Sequence, residues 1–179
     1  LMDAMDHSTY HFLGQIILIG TDAERKEYRI IDGQQRLTTL SILLIVLREY
    51  FMETEGEDAA STFDVLIKAQ ELDGDEQRRL ELLKGTGDDE SYEQLYLGEP
   101  DAATGDIGDA YDYFNKKVSS LNHNKVEDLR QTILREVSII KTVPKDISSA
   151  YRVFQTENNR GKDLRTVDLI KSLVLEAAA

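Results

Sequence analysis

The sequence has no cysteine, so no disulfide framework or thiolate metal site can hold it together. It has no Asn-x-Ser/Thr acceptor, no signal-like start and no apolar run near the length of a bilayer span. The longest candidate, Leu37 to Leu47, is broken by Thr38, Thr39 and Ser41 and reads as a buried helix. These absences point to a cytoplasmic protein without a membrane partner. Positive charge is scarce too: 21 basic against 34 acidic side chains give a formal charge of -13. Such a surface repels a phosphate backbone unless its cations are gathered in one place, so general DNA binding by this chain is disfavoured.

What remains suffices for one domain: 179 residues, 41% of them hydrophobic, can bury one sizeable core. Phe12 to Ile19 is a β-branched run closed by Gly20-Thr21-Asp22, and Tyr28 to Ile31 follows, which predicts a β-hairpin. From Gln34 to Phe51, apolar residues at Leu37, Leu40, Leu44, Leu47 and Phe51 recur every three or four places, predicting a long helix. Glu53 to Ser61 reads as an acidic loop before a weaker element at Phe63 to Ile67, and Arg78 to Leu83 as a strand or a short helix. Asp88-Asp89-Glu90 looks like the acidic first turn of a helix to about Leu97, a reading favoured over a metal site.

Gly98 to Gly108 reads as a linker. Beyond it, Ile107, Tyr111, Phe114 and Val118 share one helical face, and Val126, Leu129, Ile133 and Val137 the next. Ser138 to Val143 reads as a strand ending at Pro144. Two helices, Asp146 to Thr156 and Thr166 to Leu175, then flank a polar loop, Glu157 to Asp163. The expected class is α+β, a small sheet with a hairpin followed by a mainly helical region. Its parts are about 1–52 (hairpin and motif helix), about 53–104 (a variable insert) and about 105–179.

Two constellations carry chemical information. Asp32-Gly33-Gln34-Gln35-Arg36-Leu37-Thr38-Thr39 lies where a strand feeds a helix. There the free N–H groups and the positive end of the helix dipole make an anion site, and Gly33 lets backbone approach a ligand. Arg36 can grip phosphate in bidentate fashion, Gln34 and Gln35 can hydrogen-bond in both senses, and Thr38 or Thr39 can offer a hydroxyl. The plainer alternative is that Asp32 caps a helix and Gly33 makes a turn. The second constellation is Asn158, Arg160, Gly161 and Lys162 in the polar loop, followed by Asp168 and Lys171, which share a helix face. On its own it reads as a glycine helix stop and a surface ion pair.

The segments FLGQIIL, YRIIDGQQRLTTLSILL and VFQTENNRGKDLRTVDLIKS, in this order, resemble the N-terminal domain of GmrSD-type restriction proteins. The resemblance implies a ParB- and sulfiredoxin-like core with a mixed sheet, and nucleotide binding or hydrolysis linked to restriction of modified or foreign DNA. It places the DGQQR motif on Asp32, Gly33, Gln34, Gln35 and Arg36, the Asn-x-Arg-Gly motif on Asn158, Arg160 and Gly161, and its following helix on Asp168 and Lys171. It implies Mg2+ with an NTP (GTP, UTP or CTP), and an HNH-type nuclease domain or subunit as partner, with DNA met through the full-length protein. Family members begin with an Ile-Pro-x-Tyr-Gln-Arg-like strand that is not found here, so the domain is expected to be incomplete.

In this picture Asp32 and Arg36 are the catalytic candidates. Gly33, Gln34, Gln35, Arg36, Thr38, Asn158, Arg160, Gly161 and Lys162 bind nucleotide or phosphate, and Asp168 and Lys171 support them. The alternatives are a non-catalytic module that senses DNA modification or a partner, and a ParB-like nuclease. The last is weaker because no carboxylate and histidine cluster supports it. His7, His11 and His123 lack metal-ligand spacing, and no P-loop, His-Glu-x-x-His or Gly-x-Ser-x-Gly motif is present.

Overall fold

In the computed structural model, residues 11–23, 26–70 and 76–161 are described. The chain is α+β and divides into two compact units that interleave along the sequence. One is built from Phe12–Gln34 and the chain from Ser138 onward, the other from Gln35–Val137 with the residues up to His11.

The first unit holds a three-stranded sheet in the order β2-β1-β5, made of β1 (His11–Asp22), β2 (Glu27–Asp32) and β5 (Val137–Thr142). The β-branched runs read from the sequence form these strands, and the hairpin pairs antiparallel. Ile17 opposes Asp32 while Leu18 opposes Ile30, so Ile31 is an extra residue that bulges β2 immediately before Asp32. Ile16, Ile17 and Leu18 are buried, and Gln15 Nε2 donates to Thr142 Oγ1 at 2.8 Å, tying β1 to β5. Helix α6 (Ile147–Gly161) packs against β2. Asp146 caps it by accepting from the Ser149 N–H at 2.7 Å, which holds that carboxyl below the ordinary range.

The second unit is helical and is organised around α1 (Gln34–Thr54). Ser41 to Leu47 are buried without interruption, so α1 is enclosed on all sides rather than amphipathic. Around it lie α2 (Glu57–Ile67), α3 (Asp88–Leu97), α4 (Gly105–Ser119) and α5 (His123–Arg135), with a short hairpin of β3 (Lys68–Gln70) and β4 (Glu76–Arg78). Ion pairs link Arg48 to Asp64 at 2.6 Å and Lys68 to Glu76 at 3.1 Å. The Ser41 and Tyr92 hydroxyls share a buried hydrogen bond between α1 and α3.

Several sequence expectations need correction. The expected loop at Glu53 to Ser61 is mostly helix, because Ala60, Phe63 and Ile67 lie three and four apart and bury one face of α2. Glu57 and Asp58, which looked like loop residues, sit in its first turn, where the helix dipole favours acids. Phe63 to Ile67 is the end of that helix rather than a separate weaker element. Arg78 ends β4, and the residues after it are irregular. The expected linker at Gly98 to Gly108 holds a 3-10 turn at Pro100–Ala102 and the start of α4. Gly108 is buried there, and a Cβ on it would stand 2.7 Å from the Ala103 carbonyl oxygen. Among the described residues no helix is long and apolar enough to cross a membrane.

No local signal marks the contact between Glu49 and Tyr111, which lie 62 positions apart. The Tyr111 hydroxyl donates to Glu49 Oε2 at 2.5 Å, joining α4 to α1. Burial pushes the Glu49 carboxyl up, against the pull of the Tyr111 hydrogen bond and of Arg48. A raised carboxyl binds its proton more tightly folded than unfolded, so its contribution to stability is fullest at low pH and declines as pH climbs above the ordinary glutamate range. Glu49→Gln is therefore expected to flatten the stability profile just above that range. Urea unfolding over a pH series checks this, and an unchanged slope would remove Glu49 as its source.

Candidate functional site

The DGQQR string sits where the sequence places it, at a strand-to-helix junction. Asp32 is the last residue of β2, Gly33 occupies the N-cap position and Gln34 opens α1. Gly33 has a φ of 92°, outside the range that L side chains readily adopt. A Cβ on it would stand 2.6 Å from Ile16 Cγ2. Its glycine is thus required by conformation and by the closeness of β1, a reason that needs no ligand. With no side chain at the N-cap, Gly33 supplies no cap for the first-turn N–H groups of α1.

Around this turn, Gln34 and Gln35 are exposed, whereas Asp32 and Arg36 are half-buried and each has an interaction partner. Thr38 is only 9% exposed and Thr39 is exposed, so of the two hydroxyls Thr39 is the one open to solvent. The junction therefore offers helix N–H groups, two amides and a guanidinium within one helical turn, a set suited to an anion.

The second constellation falls differently. Helix α6 continues to Gly161, so Asn158, Arg160 and Gly161 belong to a helix and not to the expected loop. Lys162, Asp168 and Lys171, with the helix expected from Thr166, lie outside the described residues. The packing of α6 against β2 brings the element that carries Asn158 and Arg160 against the strand that ends at Asp32.

Two other groupings were missed at the level of sequence. His123, at the start of α5, accepts or donates through Nδ1 to the Tyr50 hydroxyl at 3.3 Å and meets Glu55 through Nε2 at 3.2 Å. The Arg130 guanidinium lies 4.6 Å from the Phe51 ring centroid. Both tie α5 to the end of α1 and read as structural. Their members are scattered between positions 50 and 130, so no local signal marks them. Asp88, Asp89 and Glu90 form the first turn of α3, as expected, and Asp89 Oδ2 accepts from the Gly85 N–H at 3.1 Å. Among the described residues, no group of three or more His, Cys, Asp or Glu is placed to hold a metal ion.

No curated protein matches the chain. A family model does, over residues 1–175, which takes in both constellations and everything between them. The chain belongs to the family of GmrSD restriction endonuclease N-terminal domains, and so to a restriction and defence protein.

Proposed function

We propose that this domain binds a nucleoside triphosphate at the start of α1 and uses its binding or hydrolysis to control an HNH-type nuclease domain or subunit that cuts modified or foreign DNA. The observation that carries this reading is the junction itself: a helix start directly after a bulged strand, with Gln34 and Gln35 exposed and Arg36 in the same turn. The N–H groups of that turn hold phosphate oxygens and the helix dipole favours their charge. Arg36 adds a bidentate contact and neutralises charge that develops on a transferring phosphoryl group. The family resemblance adds Asn158 and Arg160, which lie on α6, as further groups for the nucleotide.

Asp32 is a single carboxylate beside the anion site, and nucleotide-bound Mg2+ needs only one or two protein carboxylates besides phosphate oxygens and water, so the residues present fit that ion. When bound, it would supply charge neutralisation for the β- and γ-phosphates. Asp32 itself orients the attacking water or a water in the ion's shell.

Thermal unfolding of the full-length protein with GTP, UTP, CTP and ATP plus Mg2+, beside Arg36→Ala, tests this. A nucleotide at about 100 times its Kd adds roughly 2.7 kcal/mol of stability. The expected result is a shift in the parent that Arg36→Ala loses. No shift with any nucleotide would favour a non-catalytic module that senses DNA modification or a partner, a reading compatible with Gly33 serving only to pack on Ile16.

A further inference from the structure

The chain's acidity is confined to one of its two units. Gln35–Val137 with residues 1–11 carries 25 acidic and 11 basic side chains, a net of -14. Phe12–Gln34 with Ser138–Ala179 carries 9 acidic and 10 basic, a net of +1. Because the units interleave along the chain, a whole-sequence charge of -13 hides this division. Repulsion of a phosphate backbone is therefore a property of the helical unit and not of the one that holds the sheet.

Among the described residues of the helical unit, Arg48, Lys68 and Arg130 are in ion pairs, whereas the exposed Lys84, Lys116, Lys117 and Lys125 are in none. In the sheet unit, Lys26, Arg29, Lys141, Lys145 and Arg152 are all exposed, and no ion pair engages any of them among the described residues. Among their acidic neighbours, Asp22, Glu27 and Asp32 each have an interaction partner, and the Asp146 carboxylate caps α6.

At the end of the hairpin these cations meet an aromatic ring and bare backbone. Gly20 on β1 opposes Tyr28 on β2, and the space where a Gly20 side chain would stand is open for 4 Å. With β1 lying between β5 and β2, Lys141 reaches across it and places its Nζ 4.1 Å from the Tyr28 ring centroid. Tyr28 remains 41% exposed. A recess of about 410 Å³ beside Gly20 and Tyr28 adds Lys26 to the same surface, together with Asp22 and Glu27.

We propose that this hairpin end, from Lys26 and Tyr28 across Gly20 to Lys141, grips the phosphate backbone of the duplex DNA on which the protein acts. Uncommitted ammonium groups exchange their counterions for phosphates, Gly20 lets the strand come close, and Tyr28 fixes the Lys141 head group. The proposal rests on the family's action in DNA restriction and is independent of the nucleotide site.

The test is the affinity of the full-length protein for a duplex oligonucleotide, read by fluorescence anisotropy over a salt series. The comparison is between the parent, Lys26→Glu with Lys141→Glu, and a control with Lys84→Glu and Lys125→Glu in the helical unit. Each phosphate contact contributes about 0.9 to the slope of log affinity against log salt. The hairpin pair is expected to lower that slope by about 2 and affinity by at least about tenfold in 0.1 M salt, while the control stays within about twofold of the parent. Parent and hairpin variant sharing one slope would overturn the proposal, as would equal losses in the control. Absence of any duplex binding by the parent would overturn it too. Nucleotide-induced thermal shifts on the same samples keep the two sites apart, since the hairpin pair leaves them in place.

Discussion

Gly33→Ala is expected to destabilise the protein by about 2–5 kcal/mol, the sum of a left-handed backbone penalty of about 1–2 kcal/mol and an overpacking cost of about 1–3 kcal/mol. At a φ of 92° any Cβ is strained, and here it would also stand 2.6 Å from Ile16 Cγ2. Ile16 is buried on β1 and has little room to move. Urea unfolding of Gly33→Ala alone and with changes at Ile16 separates the two causes. Ile16→Val keeps Cγ2, so its cost should simply add to that of Gly33→Ala. Ile16→Ala removes Cγ2, so the double variant should be less damaged than the sum of its parts by at least about 1 kcal/mol. Equal additivity in both backgrounds would leave only the backbone term. A loss below about 1 kcal/mol would mean that the turn relaxes, and the packing account of Gly33 would fall.

This bears on how a motif is read. The position of DGQQR between β2 and α1 was plain in the sequence, because a β-branched run, Asp-Gly and a three-or-four-residue apolar period follow one another directly. What Gly33 touches was not, since Ile16 is 17 positions upstream and only the hairpin brings it near. Likewise β5 and α5 were legible from their local periods. Helix α2 was hidden because its first turn is acidic and small, and those same acids suit a helix start. The glycines at 105 and 108 looked like linker residues, yet the second is a packing position under the Ala103 carbonyl. For α6, the run Glu157-Asn158-Asn159 suggested a loop, but the helix continues through these residues to Gly161, where the described residues stop. Charge was the least legible property of all, because the two units draw on alternating stretches of chain.

Phe51→Ala is expected to be the most damaging single substitution in the helical unit, at about 4 kcal/mol, within the 3–5 kcal/mol typical of a deleted core aromatic. Phe51 is fully buried, stacks on Phe63 of α2 with centroids 5.6 Å apart, meets the edge of Tyr50 at 5.4 Å and carries the Arg130 guanidinium of α5 at 4.6 Å. The substitution therefore opens a cavity where α1, α2 and α5 meet and leaves a half-buried cation without its ring. Phe51→Leu keeps most of the volume and should cost under about 1.5 kcal/mol plus the lost ring contacts, about 0.5–1.5 kcal/mol. In a domain stable by about 5–15 kcal/mol, the alanine variant removes a quarter or more of the total. Urea midpoints for the two variants and for Arg130→Met decide the mechanism. If the ring contact with Arg130 matters, Phe51→Ala and Arg130→Met together will cost less than their sum, whereas strict additivity assigns the whole effect to the cavity.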